Sequence, residues 1–357
     1  MAKASSPKKN TTKSIVEVVS SETKIHSATI NTFNFDKWFP LIIAAFALLL
    51  YINTINHGYV LDDDTVMAKN SIVTKGISSI PEILTTAYRK GAWARQESLY
   101  RPLSLVMFAV EWQLAPNQPF LGHLLNILLY ALTGFLLYQL LRKWFQYKHA
   151  LISFSIALIF IAHPLHTEVV ANIKSRDEIL GLLFSILSLS AFYSYAISDK
   201  KTRKLILGVG YFFLALLSKE STLTLVAVIP LSIYFFTENT DKKKYVFSII
   251  ALFIGVLFYF ILRKMALGGL VNFKEVEIMN NSIVATNNTL DRACTAIMIV
   301  GYYIKLFFFP HPLSFDYSFN TIPNATFSDY RFILTLLIII ALTIYCIKNF
   351  KSKNGIA

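Results

Sequence analysis

The feature that most limits what this chain can fold into is a succession of apolar runs almost free of charge. The first, residues 38–55, contains no charged side chain, and three adjacent acids, Asp62, Asp63 and Asp64, follow it within one short loop. Further runs lie near 120–141, 149–162, 179–197, 205–217, 221–236, 245–262, 293–309 and 332–347. About 20 apolar residues cross the hydrocarbon core of a bilayer as a helix. A spanning segment must satisfy its own backbone hydrogen bonds, which leaves helices or closed barrels. Continuous apolar runs of this length are helical. The expected fold class is an all-α polytopic membrane protein of about eight or nine helices. Some runs are short, and the two around Lys219 must share a tight turn.

Composition agrees. The chain is 55% hydrophobic and 15% charged, whereas a soluble domain is about 25% charged. The net charge of +13 raises nucleic acid as a partner. The basic residues instead gather in short loops between apolar runs, where they set membrane orientation, so no nucleic acid is expected. Cys294 and Cys346 both lie in apolar runs and read as buried thiols, not as a disulfide framework.

Residues 1–37 are rich in Lys, Ser, Thr and Asn without apolar period, and are expected to be a disordered cytoplasmic tail. The transmembrane domain is placed at 38–350, its first external loop at 57–119, and a short tail at 351–357. No small-residue cleavage site follows a short apolar core, so the first run reads as an uncleaved span. Within the loop, 77–88 and 103–114 are half-apolar, the second introduced by Pro102. Both are expected as helices along the membrane interface. Basic residues of the tail, Arg142-Lys143 with Lys148, Lys200 to Lys204 and Lys242-Lys243-Lys244 fall on one side if the spans alternate. That side is cytoplasmic, in a bacterial inner membrane or, in a eukaryote, the endoplasmic reticulum. The acid loop, 162–178, 218–221 and 263–291 then share the other side. Strict alternation fails near the end: 310–330 holds no Lys or Arg, while Lys348, Lys351 and Lys353 would be external. A re-entrant or partial helix at 293–309 would repair both conflicts.

Five clusters are candidates for chemistry. Asp62, Asp63 and Asp64 repel one another unless a cation sits against them. Paired carboxylates can act as a general base on a hydroxyl or ligate a hard divalent cation, and the residues alone leave both open. His163, His166 and Glu168 lie at the outer end of an apolar run, followed by Lys174-Ser175-Arg176-Asp177-Glu178. Their spacing is not the His-Glu-x-x-His of a zinc helix. A polar pocket lining for an acceptor or phosphate fits better than zinc or helix-end capping. Lys219-Glu220 sits between two apolar runs, where Lys219 suits a phosphate. Arg89, Lys90, Arg95, Arg101, Arg263 and Lys264 oppose the positive-inside trend, and a lipid phosphate would explain them. Asp316 lies in the proline- and aromatic-rich stretch after 309.

Gly58-Tyr59-Val60-Leu61-Asp62-Asp63, with Asn70 downstream, is followed by Tyr100-Arg101-Pro102-Leu103-Ser104 and Gly122-His123-Leu124-Leu125-Asn126. Then come His163-Pro164-Leu165-His166-Thr167-Glu168, Ser175-Arg176-Asp177-Glu178-Ile179-Leu180, Leu217-Ser218-Lys219-Glu220 and the stretch from Phe309 to Ser318. In this order they resemble the transmembrane, tetratricopeptide-repeat-containing O-mannosyltransferases and their bacterial relatives, within the C-type glycosyltransferase superfamily. The resemblance implies a C-type glycosyltransferase-like bundle with a polyprenyl- or dolichyl-phosphate sugar donor bound from the non-cytoplasmic side. It implies Asp62 or Asp63 as the base on an acceptor hydroxyl, with Asp64 an acid beyond the family pair. Arg101, Arg176, Lys219 and Arg263 are the expected donor-phosphate ligands. His163, His166, Glu168, Asp177, Glu178, Glu220 and Asp316 are the expected pocket and acceptor residues. A divalent cation, Mg or Mn, held by Asp62 and Asp63 is a candidate cofactor. Membrane lipids are the surroundings, and the acceptor, protein or glycan, is not specified. The family's repeats are not found here, and the chain stops soon after 347. A short homologue, a truncated product and a fragment are all open readings. The alternative functions are a transporter or flippase of lipid-linked sugars and an inactive scaffold.

Overall fold

The structure, a computed structural model, describes residues 1, 35–93, 98–198, 202–237, 241–269, 281–314, 316–317 and 321–352. Most of the expected tail, together with Arg95, Lys200, Lys201 and Lys353, lies outside the described residues. All secondary structure among the described residues is helical.

Helix α1 (Phe39–Tyr51) carries Pro40 in its first turn. Two later helices, α4 (Pro102–Leu114) and α5 (Pro119–Trp144), also start on proline. At that position the missing N–H costs nothing and the fixed φ favours the helix. Between α1 and α4 the first loop folds on itself through two short helices, α2 (Asp63–Val66) and α3 (Ile80–Leu84). Val66, Val73, Ile83, Tyr88 and Phe108 form its apolar centre. In place of the helix expected over 77–88 stand the end of a 3-10 segment, Val73–Ser79, kinked at Gly76 (φ 71), and the short α3, which stops at Leu84.

Helix α6 (Ala150–Ala162) stops at His163-Pro164, since proline cannot continue the hydrogen-bond ladder. The chain bends by 49° into α7 (Thr167–Ala171). Next come α8 (Arg176–Ala196), α9 (Thr202–Ser218), α10 (Leu225–Phe236) and α11 (Lys242–Leu267). Asp241 caps α11 and Gly268, left-handed at φ 70, ends it. Helix α12 (Thr289–Phe308) is capped by Asn288, and α13 (Tyr330–Asn349) by Asp329.

Among the described residues, five segments are long and apolar enough to cross a membrane: Phe39–Asn56, Pro119–Trp144, Arg176–Ala196, Lys242–Leu267 and Tyr330–Ser352. The bent pair α6–α7 makes a sixth if it is one span. Two cores hold the bundle. Phe192, Phe212, Ile229 and Leu252 fill one, among α8 to α11. Ile43, Ala47, Ala157 and Ile161 fill the other, among α1, α5 and α6. Gly208 lets α9 approach α8 so closely that a Cβ there would lie 2.8 Å from the Phe192 ring.

The two ends differ in charge. At one, Trp144 stacks on Phe236 at 4.4 Å and Phe350 on Tyr234 at 5.0 Å. Lys143 reaches Ser190 there, and Lys244 reaches the Ser198 carbonyl. This basic end gathers the C-termini of α5, α8, α10 and α13 with the N-terminus of α11. At the opposite end, Lys219 at the close of α9 pairs with Glu178 in the first turn of α8. Helix α12 belongs here: the Phe307 carbonyl bonds His163 Nε2 at 2.9 Å, and Gly301 packs against Thr335 near the start of α13. The run at 293–309 is thus part of an amphipathic helix outside the five spans. Helix α13 runs back from the early α12 contact to the basic end, where Lys348 and Lys351 join the other cations, so the conflict left by strict alternation disappears.

Candidate active site

The three adjacent acids have different partners. Leu61, at φ 49, turns the chain sharply before them. Asp63 is fully buried. Its Oδ2 accepts from the Val60 N–H at 3.0 Å and its Oδ1 from the Lys174 N–H at 2.7 Å. Burial pushes this carboxyl up to about 6, against the opposing pull of the backbone N–H donors. Asp62 is 45% exposed at its side chain and accepts from Arg89 Nη2 at 2.9 Å. Asp64 pairs with Lys69 on the surface at 2.7 Å. The expected repulsion is relieved three ways: by backbone donors, by a guanidinium and by a surface lysine.

Asn70 builds the support for Arg89. Its Oδ1 accepts from the N–H groups of Ile72 and Val73, both at 3.1 Å, and its Nδ2 donates to the Thr65 carbonyl. Gly91 sits so close that a Cβ there would meet Asn70 Oδ1 at 2.0 Å. Only glycine allows that approach. It brings the 89–93 turn beside the acids, with Arg89 over the Trp93 ring at 4.5 Å.

The Lys174 contact joins the acid loop to a second cluster. Arg101 forks onto Glu220, Nε at 2.8 Å and Nη2 at 2.5 Å, and donates from Nη1 to Asp177 Oδ2 at 2.7 Å. Lys174 Nζ lies 3.7 Å from the same Asp177 oxygen. Burial works against the Arg101 charge, but the bonds and charges of Glu220 and Asp177 outweigh it and hold the group well above its ordinary value. Burial likewise pushes Glu220 up, and Arg101 with Lys219 brings it below its ordinary value. Asp177 Oδ1 is buried without a hydrogen-bond partner among the described residues. Arg263 donates to the Ser98 carbonyl at 3.0 Å and braces the chain leading into Arg101.

Lys219 and Glu178 form an ion pair at the mouth of a cavity of about 320 Å³. Leu182, Ile186 and Leu189 of α8 and Leu225 of α10 line it with Ser185, Ser221, Thr222 and Thr224, so the ion pair stands beside a largely apolar wall. A smaller cavity of about 190 Å³, lined by Tyr130, Thr133 and His166, meets Glu178 from the other side.

Arg176 does not join this chemistry. It is fully buried and ion-paired with Glu111. It also bonds Asn126 Oδ1 at 2.8 Å and the Gly122 carbonyl at 2.9 Å, and lies over the Phe108 ring at 4.6 Å. Nε, Nη1 and Nη2 are all engaged within the protein, which speaks against the expected phosphate ligand at Arg176 and for a structural pin of α4, α5 and α8. Arg101 is likewise held by two carboxylates, but in a cluster that keeps an open side. His163 bonds Phe307, and His166 packs between Tyr130 and Phe160. Glu168 accepts from Ser175 Oγ at 3.4 Å. Asp316 lies in the loop after α12, where its N–H and carbonyl turn on Ser314 Oγ. Among the described residues no three His, Cys, Asp or Glu side chains are grouped to hold a metal ion. Asp63 has both oxygens on N–H donors, and a cation at Asp62 would face Arg89. This donor set fits a resident divalent ion poorly. Sequence reasoning missed Glu111 as the partner of Arg176, and it missed the bond from the Lys174 N–H to Asp63. A lone acid inside the apolar 102–114 helix was a readable sign of a buried cationic partner.

Residues 272–343 match the family model described as Protein O-mannosyl-transferase TMTC, DUF1736. The chain is 27% identical over 295 residues to Protein O-mannosyl-transferase F38B6.6 of Caenorhabditis elegans, covering 80% of this chain and 40% of that protein. It is 26% identical over 319 residues to mouse Protein O-mannosyl-transferase TMTC2, covering 82% of this chain and 36% of the relative. With human Protein O-mannosyl-transferase TMTC3 the figures are 28% over 198 residues, 52% and 20%. The chain thus spans 40% or less of the length of each of these relatives. No solved structure matches it. The resemblance carried by the ordered motifs stands: over its membrane-helical part this chain is similar to the TMTC protein O-mannosyl-transferases.

Proposed function

We propose that this chain is the membrane glycosyltransferase part of an O-mannosyltransferase. It moves mannose or a similar hexose from a polyprenyl-phosphate donor to an acceptor hydroxyl on the face opposite the basic end. The observation that carries this reading is the convergence of the acid loop, the Lys174–Glu178 turn, Arg101 and Lys219-Glu220, beside a cavity with an ion pair at its mouth and a largely apolar wall. A lipid phosphate fits such a cavity with its phosphate at Lys219 and its isoprenoid chain along α8. Positive loops favour the cytoplasm, which puts the N-terminus there and the site on the other side of the membrane.

The two neighbouring acids divide the work. Asp62 is open, held by Arg89, and serves as the general base. Asp63 is closed and positions Asp62 by fastening the loop to Lys174. The acceptor oxygen attacks the anomeric carbon as its proton passes to Asp62. The carbon–oxygen bond to the lipid phosphate breaks, and polyprenyl phosphate leaves with the electron pair. One displacement inverts the anomeric centre. Lys219, released from Glu178, stabilises the departing phosphate charge.

The test is incubation of purified protein with polyprenyl-phosphate-[³H]mannose and a library of Ser- and Thr-containing peptides. Label joined covalently to peptide with inverted configuration supports the reading. Label that only changes leaflet in vesicles, with none joined to peptide, would instead favour transport.

A further inference from the structure

Away from the site, a cavity of about 490 Å³ opens between α9 and α11, lined by Leu205, Val209, Gly210, Ile254, Gly255 and Phe258. Two glycines shape it. Gly255 is buried, with Phe212 and Val209 behind it. Gly210 is exposed, and a Cβ built on it would meet nothing within 4 Å. The groove follows α9 from Leu205 to Phe213, about 12 Å at 1.5 Å per residue. Its walls carry almost no polar group, and both helices turn large apolar side chains outward beside it, among them Ile206, Phe253 and Phe258.

The groove's lower end is strongly basic. Arg203 stands two residues before Leu205, and Lys242 and Lys243 occupy the first turn of α11; all three are exposed. Lys244 is fixed on the Ser198 carbonyl at 2.5 Å. Asp241 is turned inward on α11, its Oδ1 accepting from the Lys243 N–H at 2.9 Å. Long basic side chains next to an apolar groove can lie along it and reach a headgroup, and basic pockets between membrane helices suit anionic lipid headgroups.

We propose that this groove binds an anionic glycerophospholipid, one acyl chain filling the space between Gly210 and Gly255 and the phosphate meeting Arg203 and Lys243. Charge decides between a lipid and a second copy of the chain. Small residues also admit close helix packing, but a second copy packed side by side would bring its own basic end against this one.

The test is native mass spectrometry of the purified protein with added dioleoyl-phosphatidylglycerol or dioleoyl-phosphatidylcholine. Wild type should retain phosphatidylglycerol about tenfold over phosphatidylcholine. Arg203→Ala with Lys243→Ala should bring the two lipids level. Gly210→Leu, whose Cβ would have open space around it, should abolish retention with an unchanged melting temperature. Equal retention of both lipids by wild type would overturn the proposal. So would unaltered phosphatidylglycerol retention in the Arg203/Lys243 variant, which alters only exposed side chains. A Gly210→Leu protein that loses dimer and keeps lipid would show the groove to be an interface between copies.

Discussion

Arg176 and Arg101 differ in their surroundings more than in their pairing. Each is a buried arginine bound to a glutamate at the same end of the bundle. Around Arg176 everything is closed: Glu111, Asn126, the Gly122 carbonyl and the Phe108 ring take up the guanidinium. Around Arg101 the circle is open. Glu220 is a third exposed, Asp177 keeps an oxygen with no partner among the described residues, and Lys174 stands beside it. The closed cluster fastens helices together. The open one holds charge where a ligand can meet it, next to the cavity at Lys219. Buried ion pairs of similar geometry therefore carry different roles according to whether any polar valence is left over.

The largest effect is expected at Arg176. Arg176→Met leaves Glu111 as an uncompensated buried charge and should cost about 3–5 kcal/mol, read as a fall in melting temperature. Arg176→Met combined with Glu111→Leu should recover most of that loss. A single variant as stable as wild type would contradict the closed-cluster reading. The open side answers in activity. Lys219→Ala should slow mannose transfer about 10–100-fold, in line with losing about 1.4–2.7 kcal/mol of phosphate stabilisation, while melting changes little. Lys219→Arg should restore part of the rate.

A smaller effect concerns pH. Asp63 is an acid held above its ordinary value of 3.8, at about 6, in the folded chain. The folded state therefore binds the proton more tightly, and this group's contribution to stability falls as pH rises between those values. Activity moves the other way. Protonation removes an acceptor from the Val60 and Lys174 N–H groups and loosens the loop that carries Asp62. Transfer should decline as pH falls through about 6, and Asp63→Asn should abolish that inflection. The smallest effect belongs to Asp64. Its pair with Lys69 is on the surface, so Asp64→Asn should leave transfer unchanged and stability within about 0.5 kcal/mol.

Much of the architecture was legible because apolar runs and basic loops are local signals. The runs at 38–55, 120–141 and 179–197 became α1, α5 and α8 with small shifts. Helix α12 was less so: its length and apolar content resemble a span, and only its amphipathic period, Lys305 and the following Pro310 mark it as different. In the site, the grouping of distant stretches followed from alternation. The division of labour proposed for Asp62 and Asp63 did not, since it rests on a contact with Lys174, 111 positions away from Asp63. Glu111 with Arg176 was hidden for the same reason, the partners being 65 positions apart.

In the proposed mechanism the adjacent acids have separate tasks, Asp62 acting on the acceptor and Asp63 holding the loop. Transfer from polyprenyl-phosphate-[³H]mannose and melting temperature, measured together in Asp62→Asn and Asp63→Asn, should tell the two apart. Asp62→Asn should lose transfer by about 10²–10⁴-fold at every pH with an unchanged melting temperature. Asp63→Asn should lose transfer and melting temperature together. Full transfer by Asp62→Asn, or a lower melting temperature in Asp62→Asn than in Asp63→Asn, would contradict the assignment.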